Sequence, residues 1–105
     1  MALEHRWSRR QRVCWDGFVF HRHPGLIQVN ILNISLEGVF IAAHHLELPP
    51  QAGVELSFAA VIAGKPAIHQ LEALAIHHTD RGYGLLFKDF RLAGFHALKS
   101  MLYAA

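Results

Sequence analysis

Short runs of apolar residues, many of them alternating with polar ones, follow one another along the chain between Gly and Pro residues. Alternation and an abundance of branched and aromatic residues are typical of β-strands, and the Gly and Pro positions mark the turns. Six strands are predicted, at residues 13–20, 26–32, 38–42, 53–62, 67–79 and 83–87.

The C-terminal residues follow a different period. Leu92, Phe95, Leu98 and Leu102 recur at spacings of three and four, which predicts a helix with one buried face. Many short strands in 105 residues favour closure into a barrel, since closure removes exposed strand edges. We therefore predict a mainly β, single-domain fold: a six-stranded antiparallel β-barrel with a C-terminal α-helix.

Aromatic residues within the predicted strands are expected to fill the core. This group consists of Trp15, Phe18, Phe20, Phe40, Phe58 and Phe87. Cys14 is the only cysteine, which excludes an intramolecular disulfide and a zinc site built on several thiolates, and we expect it to be a buried thiol.

The composition indicates a compact globular protein, because 52% of the residues are hydrophobic and only 17% are charged. No apolar run approaches the roughly 20 residues of a membrane span, and residues 1–12 carry charge where a signal peptide would be apolar. We expect a cytoplasmic protein without a membrane span. The formal net charge of +2 is small for a protein that coats nucleic acid.

Positive charge is concentrated near the N-terminus. Arg6, Arg9, Arg10 and Arg12 are four of the ten Lys and Arg residues, and only Glu4 lies nearby to oppose them. Such a segment suits a small polyanion. Guanidinium groups can bind phosphates bidentately, or grip the O6 and N7 acceptors of guanine.

A second polar cluster spans residues 33–38, where we expect a corner at 33–37 between two strands. Residues two apart on an extended chain project to the same side, so Asn33 and Ser35 are expected to face one base and accept its N1 and N2 hydrogens. Gly38 would permit either a positive φ or a close approach of the ligand.

Together these features resemble the PilZ domain. Arg6 and Arg10 match its Arg-x-x-x-Arg motif; Asn33, Ser35 and Gly38 match its Asp/Asn-x-Ser-x-x-Gly motif. Residues 82–87, Gly-Tyr-Gly-Leu-Leu-Phe, are similar to its glycine-bearing last strand. The resemblance covers nearly the whole chain and implies a split barrel at 13–105, helix included, preceded by a flexible arm at 1–12.

The resemblance also implies a function. PilZ domains are receptors for the bacterial second messenger cyclic di-GMP, without catalytic activity or a further cofactor. The arm would fold over the ligand, and an unidentified protein partner would respond in motility, pilus assembly or biofilm formation; a homodimer is compatible with this. The expected ligand-binding residues are Arg6, Arg10, Asn33, Ser35 and Gly38, with Trp7, Arg9 and Arg12 as additional candidates for stacking or for a shifted arginine register.

Two alternatives stay open: a degenerate PilZ-type protein-interaction module that binds no nucleotide, and a small-barrel RNA-binding domain, which the modest net charge disfavours. No enzyme is expected, because Ser35 and Ser57 have no evident base-and-orienter set and no paired carboxylates occur. The chain has nine histidines, including His21-x-His23, but no acidic cluster completes a coordination sphere, so no metal site is predicted.

Overall fold

The structure is a computed structural model that describes residues 10–23, 25–43, 46–62 and 64–89. The arm residues Arg6, Trp7 and Arg9 and the predicted C-terminal helix lie outside the described residues.

Six strands make up the described part of the chain, as predicted. They are β1 (Gln11–His21), β2 (Gly25–Ile34), β3 (Gly38–Ala42), β4 (Gly53–Ile62), β5 (Lys65–Thr79) and β6 (Gly82–Asp89). All neighbours are antiparallel, and the sheet closes into a barrel in the order β1-β2-β3-β6-β5-β4. Strand β1 begins two residues before the predicted boundary at residue 13, within the segment that we had assigned to the arm.

The core lies inside the barrel and consists mostly of β-branched residues and leucines, whose shapes suit a pleated surface. In β1, β4 and β5 alternate residues point inward, as the polar and apolar alternation requires. Residues without measurable exposure are Val19, Ile31, Ile34, Val39, Ile41, Leu56 and Ala73.

Two expected core aromatics and the cysteine point the other way. Phe18 and Phe20 are 43% and 50% exposed, and Cys14 is also exposed, so the prediction that these three side chains are buried was wrong. All three are even-numbered residues of β1, whose odd-numbered positions face the core. Phe58 and Phe87 are buried as predicted.

Three rings line up across neighbouring strands on the inner side of the barrel. Trp15 of β1 stacks on Phe58 of β4, with centroids 5.4 Å apart, and Phe58 contacts the ring of His69 on β5 at 5.5 Å. The Nε2 atom of His69 is buried and has no hydrogen-bond partner among the described residues. Burial lowers the pKa of His69 below the ordinary value of 6.5.

The connection from β3 to β4 is attached to the barrel by the Tyr83 side chain and by backbone hydrogen bonds. The hydroxyl of buried Tyr83, on β6, donates to the carbonyl oxygen of Leu46 at 3.2 Å and accepts the N–H of Leu48 at 3.0 Å. Beyond the two prolines, the N–H of Gln51 donates to the carbonyl oxygen of Ala75 at 2.8 Å. The start of β6 is therefore held both by its pairing with β3 and by the hydrogen bonds of Tyr83 to the β3–β4 connection.

The lowered pKa of His69 predicts a pH dependence of stability. Between the folded-state pKa and 6.5 the unfolded chain binds the proton more readily, so the free energy of unfolding should fall as the pH drops below about 6.5. The variant His69→Phe keeps a ring against Phe58 but has no group to protonate, so the decrease in the free energy of unfolding that His69 causes should disappear. Urea unfolding from about pH 7.5 to about pH 5.5 checks this; identical pH profiles of the two proteins would contradict it.

Candidate functional site

The corner between β2 and β3 is built around the hydroxyl of Ser35. Ser35 is only 1% exposed, and its Oγ accepts the N–H of Glu37 at 3.1 Å and the N–H of Gly38 at 3.3 Å. Its backbone N–H donates to the carbonyl oxygen of Gly38 at 2.9 Å. Ser and Asn commonly stabilise turns in this way. The corner is narrower than predicted, since Asn33 still lies in β2 and the turn occupies residues 35–37.

Ser35 therefore does not stand beside Asn33 facing outward, as the two-residue spacing predicted. The strand ends at Ile34, so the period of an extended chain no longer applies at Ser35. The hydroxyl instead satisfies backbone donors of its own turn. Direct contact of Ser35 with a ligand stays a prediction.

Gly38 is required by the neighbouring strand. The φ of Gly38 is not positive. A Cβ added at this position would, however, overlap the carbonyl oxygen of Leu85 on β6. The close approach of β3 and β6 thus explains this glycine without the positive φ that we had considered, and a close approach of the ligand at Gly38 stays a prediction. The corner is also joined to β6 by the N–H of Phe87, which donates to the carbonyl oxygen of Glu37 at 2.8 Å.

A one-residue bulge in β2 brings Asn33 to the outer surface. Ile31 pairs with Ile41 of β3, but Asn33 already pairs with Phe40, so Leu32 is the extra residue. Up to Ile31 the odd-numbered residues face the core, whereas after the bulge the even-numbered Ile34 does. Without the bulge the Asn33 side chain would point inward. A second irregularity lies in the pairing of β1 with β2, between Arg12 and Trp15.

The structure brings three of the predicted ligand residues together. Nη1 of Arg10 donates to Oδ1 of Asn33 at 2.6 Å, a short bond with a charged donor. Arg12 is the backbone partner of Asn33 across β1 and β2. Arg10 and Arg12 are exposed and Asn33 is half-buried, so all three side chains are available at the surface.

A cavity of about 500 Å³ opens beside this group, within the size range of small-molecule sites. Its walls come from β1, β2, β3, the end of β5 and the β5–β6 turn: Arg12, Val13, Leu32, Asn33, Phe40, Thr79 and Arg81. We call it the arginine cavity. Two other cavities, of about 300 and 270 Å³, contain none of the predicted ligand residues.

A smaller cavity of about 200 Å³ shares Phe40 with the arginine cavity and lies against the corner. Arg10, Glu37, Gly38 and His77 are among its lining residues. Phe40 lines both cavities, and the bonded pair connects them, since Asn33 lines the arginine cavity and Arg10 lines the smaller one. Together the two cavities form one concave surface. Its residues include Phe40, Thr79 and Arg81, which were not predicted as site residues. Phe40 was expected in the core but is only half-buried.

The described residues contain no group of three His, Cys, Asp or Glu side chains arranged to hold a metal ion. In the same part of the chain, no helix has the length and apolar character needed to cross a bilayer.

No family model and no curated protein matches the sequence. Among solved structures, the chain is similar to the Bacillus subtilis inhibitor of motility (MotI/DgrA), with a TM-score of 0.77 at 16% identity over 90% of this chain and 47% of that one. It is also similar to the PilZ domain of CeSA from a cellulose-synthesizing bacterium, with a TM-score of 0.65 at 12% identity over 91% of this chain and 96% of that domain.

The chain thus spans about half the length of MotI/DgrA and nearly all of the CeSA domain. Its fold is PilZ-like, as the motifs and strand order predicted.

Removal of the Ser35 hydroxyl should destabilise the protein. Ser35→Ala leaves two backbone N–H groups at the corner without their acceptor, which should lower the free energy of unfolding by about 1 to 3 kcal/mol. Urea unfolding measures this loss. Ser57→Ala, at a half-buried position in the middle of β4, serves as the control and should change stability by less than about 0.5 kcal/mol. Equal stabilities of the two variants would contradict the role of Ser35 in the corner.

A side chain at Gly38 should disturb the β3–β6 pair. Gly38→Ala forces its Cβ against the Leu85 carbonyl and should cost about 1 to 3 kcal/mol of unfolding free energy. Gly53→Ala is the matched control, because a Cβ there meets nothing within 4 Å. The comparison uses thermal and urea unfolding; a Gly38→Ala protein as stable as Gly53→Ala would show that β6 can retreat without cost.

Proposed function

We propose that this protein binds cyclic di-GMP on the concave surface around Asn33 and relays the binding event to a protein partner. The observation that carries the proposal is the Arg10–Asn33 hydrogen bond at the edge of the arginine cavity, formed by residues of two separate predicted motifs. The PilZ-like fold supports it, since the same motifs and strand order led to that fold prediction.

The chemistry of the pair suits a guanine base. Arg10 has five N–H donors and uses one of them on Asn33, which leaves donors for the O6 and N7 acceptors of guanine or for a phosphate. The Asn33 amide oxygen has a second lone pair for a guanine N–H. Because the bond already holds the guanidinium, less side-chain entropy is lost on binding.

The remaining motif residues have distinct roles in the proposal. Arg6 supplies the second guanidinium of the Arg-x-x-x-Arg motif, and Trp7 stacks on a base, with Arg9 and Arg12 available for the phosphates. Ser35 and Gly38 act by building the corner that holds Asn33 at the surface.

Signal transfer follows from closure of the arm over the ligand. Ordering of such a segment creates a new surface that a partner protein can bind. The protein is therefore proposed to be a regulatory receptor without catalytic activity. A cytoplasmic location stays a prediction.

A second candidate function is a protein-interaction module that binds no nucleotide. The observation in its favour is an outward apolar patch on β1 and β2, where Phe20 pairs with Leu26 and these side chains are 50% and 64% exposed. Phe18 extends the patch along β1. Exposed apolar patches of this kind often mark protein contacts.

Calorimetric titration with cyclic di-GMP tests the primary proposal. Arg10→Ala should weaken binding by at least about 1.5 to 3 kcal/mol, or roughly tenfold or more, because charge-assisted bonds are lost. Arg22→Ala is the matched control: Arg22 is an exposed arginine in the turn between β1 and β2 and lines neither cavity of the site. Equal affinities of the two variants would exclude Arg10 and transfer its role to Arg9 or Arg12.

The same titration separates the alternatives. GTP should not compete at equal concentration, and a single-stranded RNA should bind weakly with a steep salt dependence. Folded protein that gives no heat with cyclic di-GMP would overturn the receptor proposal in favour of the interaction module.

A further inference from the structure

Arg81, which is distant in sequence from both predicted motifs, lines the arginine cavity together with Asn33. It lies in the turn between β5 and β6, and its backbone N–H donates to Oγ1 of Thr79 at 3.1 Å. The barrel order explains why Arg81 and Asn33 line the same cavity, since β6 pairs with β3, and β3 pairs with β2. The turn therefore flanks the cavity on the side away from Arg12 of β1.

The position of this turn is fixed by the residues that follow it. Gly82 lies so close to β3 that an added Cβ would overlap the carbonyl oxygen of Ile41. Tyr83 is buried and its hydroxyl is bonded to the backbone of Leu46 and Leu48. The β3–β6 ladder and the two Tyr83 hydrogen bonds oppose movement of the turn away from β3, so they keep Arg81 beside the cavity.

The composition of the cavity walls indicates what Arg81 can bind. Two arginines and no carboxylate line the cavity. Val13, Leu32 and Phe40 supply apolar surface for a planar base, and Asn33 supplies an amide. An anionic ligand with a planar ring satisfies this combination, since the guanidinium groups bind phosphate and the apolar residues contact the ring.

We propose that Arg81 is a ligand-contact residue whose guanidinium binds a phosphate of the nucleotide. This inference rests on the proposed function. It adds to the proposed site an arginine that belongs to neither motif, besides Arg6 and Arg10. Arg10 and Asn33 contact the guanine edge, while Arg81 holds the phosphate from the opposite flank of the cavity. The charge of Arg81 is its essential property here, so a lysine should replace it in part.

Calorimetric titration of cyclic di-GMP into Arg81→Gln, Arg81→Lys and the control Arg22→Gln tests the assignment. Arg81→Gln should weaken binding about tenfold or more, while Arg22→Gln should stay within about twofold of the wild type. Arg81→Lys should recover part of the loss. The affinity of the wild type should also fall more steeply with added salt than that of Arg81→Gln, because salt screens the ion pair between Arg81 and the phosphate, which the variant lacks.

The outcomes separate this inference from the proposed function. Wild-type binding together with equal affinities of Arg81→Gln and Arg22→Gln would overturn the role of Arg81 and leave the receptor proposal standing. If Arg81→Lys were as weak as Arg81→Gln, or if the salt dependences were parallel, the phosphate assignment would be wrong. No binding by the folded wild type would overturn both proposals. Arg81 and Arg22 are exposed, so the unfolding temperatures of their variants should match that of the wild type. Such a match excludes misfolding as a cause of weak binding.

Discussion

The close approach of β3 to β6 is the constraint on which the site depends. Each end of this strand pair has a glycine against a carbonyl oxygen of the other strand: Gly38 against Leu85, and Gly82 against Ile41. Neither position has room for a Cβ. At one end this contact determines the corner that follows β2, and at the other it determines the turn that carries Arg81. The two sides of the arginine cavity are therefore positioned by one backbone contact surface.

The bulge at Leu32 brings Asn33 to the outer surface of that frame. A strictly alternating β2 would place Asn33 in the core, where an amide without partners is costly. The extra residue turns Asn33 outward and returns Ile34 to the interior, so the strand keeps its apolar contacts on both sides of the bulge. Bulges are frequent next to binding sites for this reason.

The sequence predicted all six strands, because Gly and Pro residues separate them clearly. The facing of individual side chains was harder to predict. Phe18 and Phe20 are apolar, but strand parity places them outside, and hydrophobicity alone does not reveal which parity faces the core.

Of the candidate site, the sequence predicted Arg10 and Asn33 at one place, with Arg12 as an additional candidate. Ser35 was expected to face a base beside Asn33, whereas its hydroxyl accepts N–H groups of its own turn. Arg81 could not have been found from local patterns, because only the pairing of β3 with β6 brings it near. In the sequence it lies between the predicted strands at 67–79 and 83–87, a position that says nothing about its neighbours in the barrel.

The neutral side chain at Asn33 has an electrostatic consequence for the site. A carboxylate there would neutralise Arg10, whereas the amide holds Arg10 by a hydrogen bond and leaves its charge available. With Arg12 and Arg81 on the cavity walls, and Glu37 as the acidic residue lining the smaller cavity, positive charge exceeds negative charge on this surface of the described chain. An anionic ligand thus gains from long-range attraction before any contact forms. In the proposed function, guanine is distinguished by short-range hydrogen bonds at Arg10 and Asn33. Arg10 then contributes to both attraction and selectivity, whereas Arg12 and Arg81 contribute to attraction.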